Sequence, residues 1–249
     1  MNISALILTK NEEKNISECI SGLKFCDEII VIDDNSSDNT VEIAKRSGAK
    51  VFQRNLDRDF AGQRNYALEK ASGKWVFFVD ADERVSDELR KEIKKEIDSP
   101  DNPHVGYFVR RDDYMWGKKL KYGETGGVLL LRLARKSAGK WVRSVHEVWK
   151  AVGRTKTLRN PLKHYSHQTL REFISDINFH SDLHAVANYK EGKRSSWVKI
   201  LFWPRAHGFK NWVLKLGFLD GTEGFVFALI MSFHSFLSWS KLWIKERKK

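Results

Sequence analysis

The sequence predicts an α/β protein: a mostly parallel sheet with helices on both faces, followed by a helical C-terminal extension. Three observations carry this. Through the first hundred residues, runs rich in Val, Ile and Phe (ISALIL, EIIVID, AKVFQR, KWVFFVD) alternate with amphipathic stretches. Such near-continuous apolar runs are strands buried on both faces, the condition of a parallel sheet covered by helices. From about residue 104 shorter β segments follow, joined by Gly-rich turns, and from about residue 169 the pattern is helical.

Each element has its own signal. After the strand ISALIL, the stretch NEEKNISECISGL sets Ile16, Ile20 and Leu23 on one helical stripe. Asn11 suits its N-cap, and Glu12 and Glu13 suit its first turn. EIIVID is the second strand, and NTVEIAKRSG is a helix stopped by Gly48. AKVFQR is a short strand, AGQRNYALEKASG a helix closing at Gly73, and KWVFFVD the next strand. Ser86 then caps a helix with Leu89, Ile93 and Ile97 on its apolar face. VGYFVRR, GVLLLRLARK and GKWVRSVHEVW are the later β segments, and residues 169–193, 195–216 and 221–247 read as helices. There is no internal repeat and no low-complexity linker.

The bulk properties narrow the class. A chain of 249 residues that is 41% apolar can bury a substantial core. The opening MNISALILT lacks a basic start and a small-residue cleavage site, so no secretory leader is predicted. Cys19 and Cys26 have neither zinc-type nor CxxC spacing and read as reduced packing residues, which points to the cytoplasm. The net charge of +12 calls for an anionic partner: nucleic acid, nucleotide or membrane surface. That charge is not evenly spread, because the first hundred residues are nearly balanced and the last sixty are rich in Lys, Arg and Trp.

Ligands of such sheets bind beyond the carboxyl ends of the strands. Those ends carry Thr9 to Glu12, then Asp33 to Asn35, then Asp80, Asp82 and Glu83. Each cluster alone can serve as a helix cap or a turn. Their convergence on one edge is what argues for a site. Three carboxylates so close together repel unless a positive group lies between them. An Asp-x-Asp pair suits a hard divalent cation, Mg²⁺ or Mn²⁺, that keeps coordination positions open for substrate phosphates. A metal is therefore the expected counter-charge. Neither a G-x-G-x-x-G loop after the first strand nor a G-x-x-x-x-G-K-[ST] loop is present, which excludes the usual dinucleotide and P-loop phosphate sites.

The ordered set ALILTKNEEKNISECI, EIIVIDDNSSDNT, AGQRNYALEKASGKWVFFVDADERV and VHE resembles the family-2 glycosyltransferases of GT-A fold. Within them it is most similar to the bacterial branch that adds sugars to lipopolysaccharide core or related envelope acceptors. The resemblance covers residues 2–165 and continues more loosely through GFLDGTEGF. It implies a GT-A-like, Rossmann-type catalytic domain over 1–165, with a nucleotide-binding part (1–100) and an acceptor part (101–165), and a basic, aromatic extension over 166–249.

It also implies roles. Thr9 and Glu12 would line the nucleotide pocket, Asp34 would accept a hydrogen bond from uracil, and Arg64 would lie near the base or diphosphate with Asn65 supporting its helix. Asp80 would approach the ribose and Asp82 would ligate the metal, with Glu83 beside it. Members of the family invert the anomeric centre by direct displacement, in which a carboxylate takes the acceptor proton, a contribution of roughly 10²- to 10⁴-fold. Glu147 in VHE is the candidate base, with His146 orienting it or the acceptor; a pair between Glu147 and Arg143 is the structural alternative. His164 would be a third metal ligand or a phosphate contact. His180 and His184 have the i, i+4 spacing of zinc ligands but lack the Glu after the first His, and read as helix surface and core.

The expected partners are a nucleoside diphosphate sugar, UDP-linked, and a glycolipid or oligosaccharide acceptor. The longest apolar run of the tail, Phe225 to Leu237, is interrupted by Ser232, His234 and Ser235 and falls short of the ~20 residues of a membrane span. Trp, Lys and Arg beside apolar faces suit a helix lying in the bilayer interface. An acidic lipid surface would attract the terminal KERKK at about 1 kcal/mol per charge. The expected location is thus the inner face of the cytoplasmic membrane, peripherally bound; the alternative is that the tail helices pack on the catalytic domain or on another subunit, as in a homo-oligomer. A polyprenyl-phosphate glycosyltransferase would carry clear spanning helices. A nucleic-acid-binding protein would set its aromatics on a polar stacking surface rather than among aliphatic residues, so no nucleic acid is expected.

Overall fold

The computed structural model describes residues 2–143 and 147–247. The chain forms two compact units, Met1–Arg111 with Leu129–His164, and Asp112–Val128 with Tyr165–Lys249. The segment Asp112–Val128, which lies inside the expected acceptor part, belongs to the second unit.

In the first unit the chain runs β1 (Ile3–Thr9), α1 (Ile16–Gly22), β2 (Glu28–Asp33), α2 (Thr40–Arg46), β3 (Lys50–Gln53), α3 (Phe60–Lys70), β4 (Trp75–Asp80), β5 (Glu83–Val85) and α4 (Asp87–Ile97). β6 (His104–Met115) leads out of it, to β7 (Lys118–Leu120), and β8 (Val128–Arg135) leads back. β9 (Gly139–Val142), β10 (Val148–Ala151), β11 (Arg154–Thr157) and β12 (Leu162–His164) complete the strands. The main sheet has the order β3-β2-β1-β4-β8-β6-β12-β5. Its first four strands are parallel, and β8 then runs antiparallel to β4.

Side-chain alternation divides the core into two layers. Along β4, Trp75, Phe77 and Val79 join the layer under α1 and α4, whereas Val76 and Phe78 join the layer under α3. All five are buried, which is why the run reads as continuously apolar rather than alternating. On α4, Ser86 accepts the N–H of Leu89 at 3.2 Å, and Leu89 and Ile93 are buried. Gly48 has φ +93°, the left-handed geometry of a helix stop. α3 ends at Lys70, before Gly73, and Gly73 has another purpose: a Cβ there would come within 2.7 Å of the Ser4 backbone nitrogen. Cys19 and Cys26 are free thiols whose pKa burial pushes up, so they pack rather than react.

The first helix is shorter than its sequence stripe. α1 begins at Ile16, after Asn15, and Asn11 does not cap it. Asn11 instead takes φ +54° and accepts the Ser37 N–H at 2.8 Å. The stretch between β1 and α1 is thereby tied to the loop after β2.

The second unit holds α5 (Leu170–Lys190), α6 (Trp197–Phe209), a π-helical turn (Lys210–Leu214), a 3-10 turn (Gly217–Asp220) and α7 (Gly221–Arg247). Thr169 and Glu172 form a reciprocal capping box at the start of α5. α5 and α6 both pack on α7, and a small core gathers Met115, Leu120, Phe173, Ile177 and Phe227. Asp220 anchors the connections by accepting the backbone N–H groups of Lys121 and Tyr122, each at 2.9 Å. His180 is exposed and His184 packs edge-on against His234.

One sequence expectation changes here. Ser232, His234 and Ser235 do not interrupt α7, because Ser232 bonds the Pro204 carbonyl and the His234 carbonyl accepts from Ser238. The stretch Gly217–Arg247 is therefore long and apolar enough, by length and composition, to cross a membrane.

Candidate active site

The parallel register brings the polar strand ends together. Thr9 of β1 pairs with Asp33 of β2, and Leu8 pairs with Asp80 of β4. Asp33 is fully buried and turns the loop after β2 by accepting both the N–H and the hydroxyl of Ser36, at 2.9 and 2.5 Å. The two loops then hold each other: the Asn11 N–H donates to Ser36 Oγ at 2.8 Å and the Glu12 N–H to Thr40 Oγ1 at 2.7 Å.

On this edge the expected nucleotide residues differ in how occupied they are. Thr9 is buried, and its Oγ1 has no hydrogen-bond partner among the described residues. Glu12 accepts from the Asn15 side-chain amide at 2.8 Å. Asp34 accepts from the Leu56 N–H and from Lys10 Nζ, each at 2.8 Å. A base seated at Asp34 would share it with Lys10.

The three carboxylates after β4 have protein counter-charges, and the leading one is a residue the sequence reading passed over. Arg132, on β8, is 3% exposed. Its guanidinium reaches Asp80 Oδ2 at 2.5 Å and Glu83 Oε1 at 2.7 Å. Glu83 in turn accepts the Asp80 N–H at 2.9 Å. Burial alone would raise the Asp80 carboxyl, but Arg132 and then Arg64 outweigh it and hold Asp80 well below the usual carboxylate range. For Glu83 the balance falls the other way: burial dominates Arg132 and raises its pKa. Arg132 thus gives Asp80 and Glu83 a counter-charge from the protein itself. The signal was present in the sequence, since Arg132 is a lone charge inside the apolar run VLLLRLA.

Asp82 has a different partner. β12 pairs antiparallel with β5, setting His164 opposite Glu83 and its Nε2 3.1 Å from Asp82 Oδ2. Burial would raise Asp82, yet His164 lowers it. Among the described residues no group of three or more His, Cys, Asp or Glu side chains converges as a metal cage. The adjacent carboxylate and imidazole are two donors of the kind that suit Mn²⁺ or a neighbouring divalent ion, provided a substrate diphosphate supplies the remaining oxygens. The residues present fit a metal shared with substrate.

Glu147, just before β10, comes to the same place. It pairs with Arg64, 83 positions away, whose Nε donates to Glu147 Oε1 at 2.9 Å. Arg64 also reaches Asp80 Oδ1 at 3.3 Å, and its Nη1 is buried with no hydrogen-bond partner among the described residues. Its guanidinium lies over the Trp141 ring at 4.8 Å and near Phe78 at 5.5 Å. Asn65 clamps β9 to α3 through both of its amide atoms, at 2.9 and 3.0 Å from the Trp141 backbone. That clamp seats Trp141 over Arg64. His146, the other expected catalytic residue, lies outside the described residues.

A doubly covered parallel sheet with an acidic, arginine-bridged edge beyond its carboxyl ends defines a nucleotide-type α/β enzyme. The family model "Glycosyl transferase family 2" matches residues 4–160. Over 99% of its length the chain is 31% identical to the lipopolysaccharide core biosynthesis glycosyltransferase LpsC of Rhizobium meliloti (strain 1021), covering 94% of that protein. An uncharacterized glycosyltransferase of Rickettsia typhi is 28% identical, with 96% of this chain and 86% of that one aligned. The fold is also that of S. aureus TarS 1-349 in complex with UDP-GlcNAc, at TM-score 0.53 and 16% identity, covering 98% of this chain and 93% of that one. The protein belongs to glycosyltransferase family 2.

Proposed function

We propose that the protein is an inverting glycosyltransferase that moves a sugar from a UDP-linked donor to a cell-envelope glycolipid such as lipopolysaccharide core. The observation that carries the reading is Arg64, which binds Glu147, 83 positions away, and ties it to the acidic strand end at Asp80. A base, a cation with a free buried donor and a carboxylate cluster within one side chain's reach are what displacement at a sugar–diphosphate bond needs. The similarity to LpsC supports the acceptor class. TarS, described with UDP-GlcNAc, supports a nucleotide seat on this fold.

In this reading Thr9, Glu12 and Asp34 surround the nucleoside, with the free Thr9 hydroxyl available to it. Asp80, held ionised by Arg132 and Arg64, faces the ribose side. Arg64 turns its free Nη1 to the diphosphate. As the diphosphate takes over that charge, the Arg64–Glu147 pair loosens and Glu147 becomes available to accept the proton of the acceptor hydroxyl. Asp82 and His164 would hold Mg²⁺ or Mn²⁺, which when bound would neutralise charge on the departing diphosphate. A glycolipid acceptor brings the enzyme to the cytoplasmic face of the membrane, peripherally bound.

The test is calorimetric titration of UDP with and without Mn²⁺ into the protein, Asp82→Ala and Glu147→Gln, alongside a transfer assay over a UDP-sugar series. We expect Mn²⁺-dependent UDP binding that Asp82→Ala abolishes and Glu147→Gln leaves within twofold. Transfer by Glu147→Gln should fall roughly 10²- to 10⁴-fold. No UDP binding in either condition would overturn the donor assignment, and full transfer by Glu147→Gln would remove it as the base.

A further inference from the structure

Between Glu191 and Asp220 the chain carries six basic residues and no acidic one. This stretch includes α6, the π-helical turn and most of the 3-10 turn. Along it Trp197, Phe202, Trp203, Phe209, Leu214 and Phe218 are between 44% and 70% exposed. An apolar surface of this extent is costly to leave in water and marks a contact.

The rest of the segment is firmly seated. Pro204 and Asn211 are buried, and the Pro204 carbonyl accepts the Ser232 hydroxyl of α7 at 2.7 Å. His207 pairs with Glu124 at 2.9 Å. Lys199 donates to the Arg194 carbonyl at 2.6 Å and lies over the Trp239 ring at 4.9 Å. The uncovered side chains are thus presented by a fixed scaffold.

We propose that α6 and the two turns after it dock the enzyme on an anionic bilayer surface, with their apolar side chains at the acyl boundary and Arg205, Lys210 and Lys215 among the lipid phosphates. Aromatic and aliphatic residues interleaved with basic ones, and no acid among them, is the composition such a surface selects. A second copy fits poorly. Two such stretches face to face would set the basic residues of one against those of the other, and neither segment carries an acid of its own to pair them. The proposal rests on the glycolipid-acceptor reading, to which it adds the element that brings the enzyme to the acceptor.

The test uses the full chain and acceptor-free vesicles, either pure phosphatidylcholine or phosphatidylcholine with phosphatidylglycerol, scored by cosedimentation at low and high salt. Binding is expected only with phosphatidylglycerol and should weaken with salt. Phe202→Ser with Leu214→Ser should lower vesicle affinity about tenfold or more, and Lys210→Ala about fivefold. Both variants should bind UDP as the parent protein does, which separates lost docking from lost fold. Failure to bind anionic vesicles, or equal binding to neutral ones at high salt, overturns the proposal. So does a concentration-dependent dimer that Phe202→Ser splits. Protein that stays in the pellet through alkaline carbonate would assign the membrane contact to a spanning α7 instead. Vesicle binding is read without turnover, so UDP binding that persists while docking fails would sink this inference and leave the donor assignment standing.

Discussion

The two units of the chain treat apolar residues in opposite ways. Among the described residues, 22 large apolar side chains stand exposed; only Leu129, Val148 and Val152 belong to the first unit. The first unit covers both faces of its sheet, so every Trp, Val and Phe of β4 finds a layer to enter. The second unit packs α5 and α6 on α7, and a helix with one neighbour has an outer face left over. A surface helix normally fills that outer face with charge, but here α6 fills it with Trp, Phe and Leu as well. The difference teaches that the first unit buries its apolar residues with its own chain, whereas the second leaves a row of them on its surface.

That contrast can be broken by substitution. The largest effect is expected in the first unit at Arg132. Arg132→Met leaves Asp80 and Glu83 buried without their shared cation and should cost about 3–5 kcal/mol in urea unfolding. A loss below about 1 kcal/mol would mean that water replaces the guanidinium and that the edge is wetter than its burial implies. A matched pair sharpens the comparison further. Phe78 is fully buried and meets Trp141 and Trp149 edge-on at 5.1 and 5.4 Å. Phe78→Ala should cost about 3–5 kcal/mol, whereas Phe202→Ala on α6 should change stability by no more than about 0.5 kcal/mol. Similar losses at both sites would show that the α6 surface belongs to a core after all.

A smaller effect than at Arg132 is pH-dependent. Glu28 accepts from Ser4 Oγ at 2.5 Å, from the Ser72 N–H at 2.6 Å and from Lys50 at 3.1 Å. Partial burial would raise its pKa, but these bonds outweigh it and lower the carboxyl to about 2. A depressed carboxylate adds stability that is fully present above its unfolded pKa and lost as pH falls through the folded one. Glu28→Gln should therefore cost on the order of 1–2 kcal/mol at pH 7, allowing for solvent screening. The gap to the parent should close as pH falls from about 5 toward about 2. A gap that stays constant with pH would assign the loss to packing.

Much of the fold was legible because its rules are local. The buried strands, the Gly48 stop, the Ser86 cap and the helical tail each follow from residues two to four apart, and the order of strand-end clusters followed from the parallel sheet those strands imply. Thr9, Glu12, Asp34, Asp80 and Asp82 could be named for that reason. Misreadings came where a local signal was ambiguous. Asn11 has the chemistry of a cap, but tertiary hydrogen bonds to the next loop drew it into a left-handed turn. The polar residues of α7 look like breaks in an apolar run until their partners, a carbonyl of α6 among them, are visible.

What the sequence alone determined is the α/β pattern, the acidic edge, the basic aromatic tail and the family. What only the tertiary structure decided is which charges answer which. Asp80 and Glu83 share Arg132, 52 and 49 positions downstream; Asp82 takes His164; and Glu147 takes Arg64. Periodicity along the chain fixes the direction in which a side chain points from its element. An ion pair depends on which strand lies beside which, and that is set by the packing of the whole sheet.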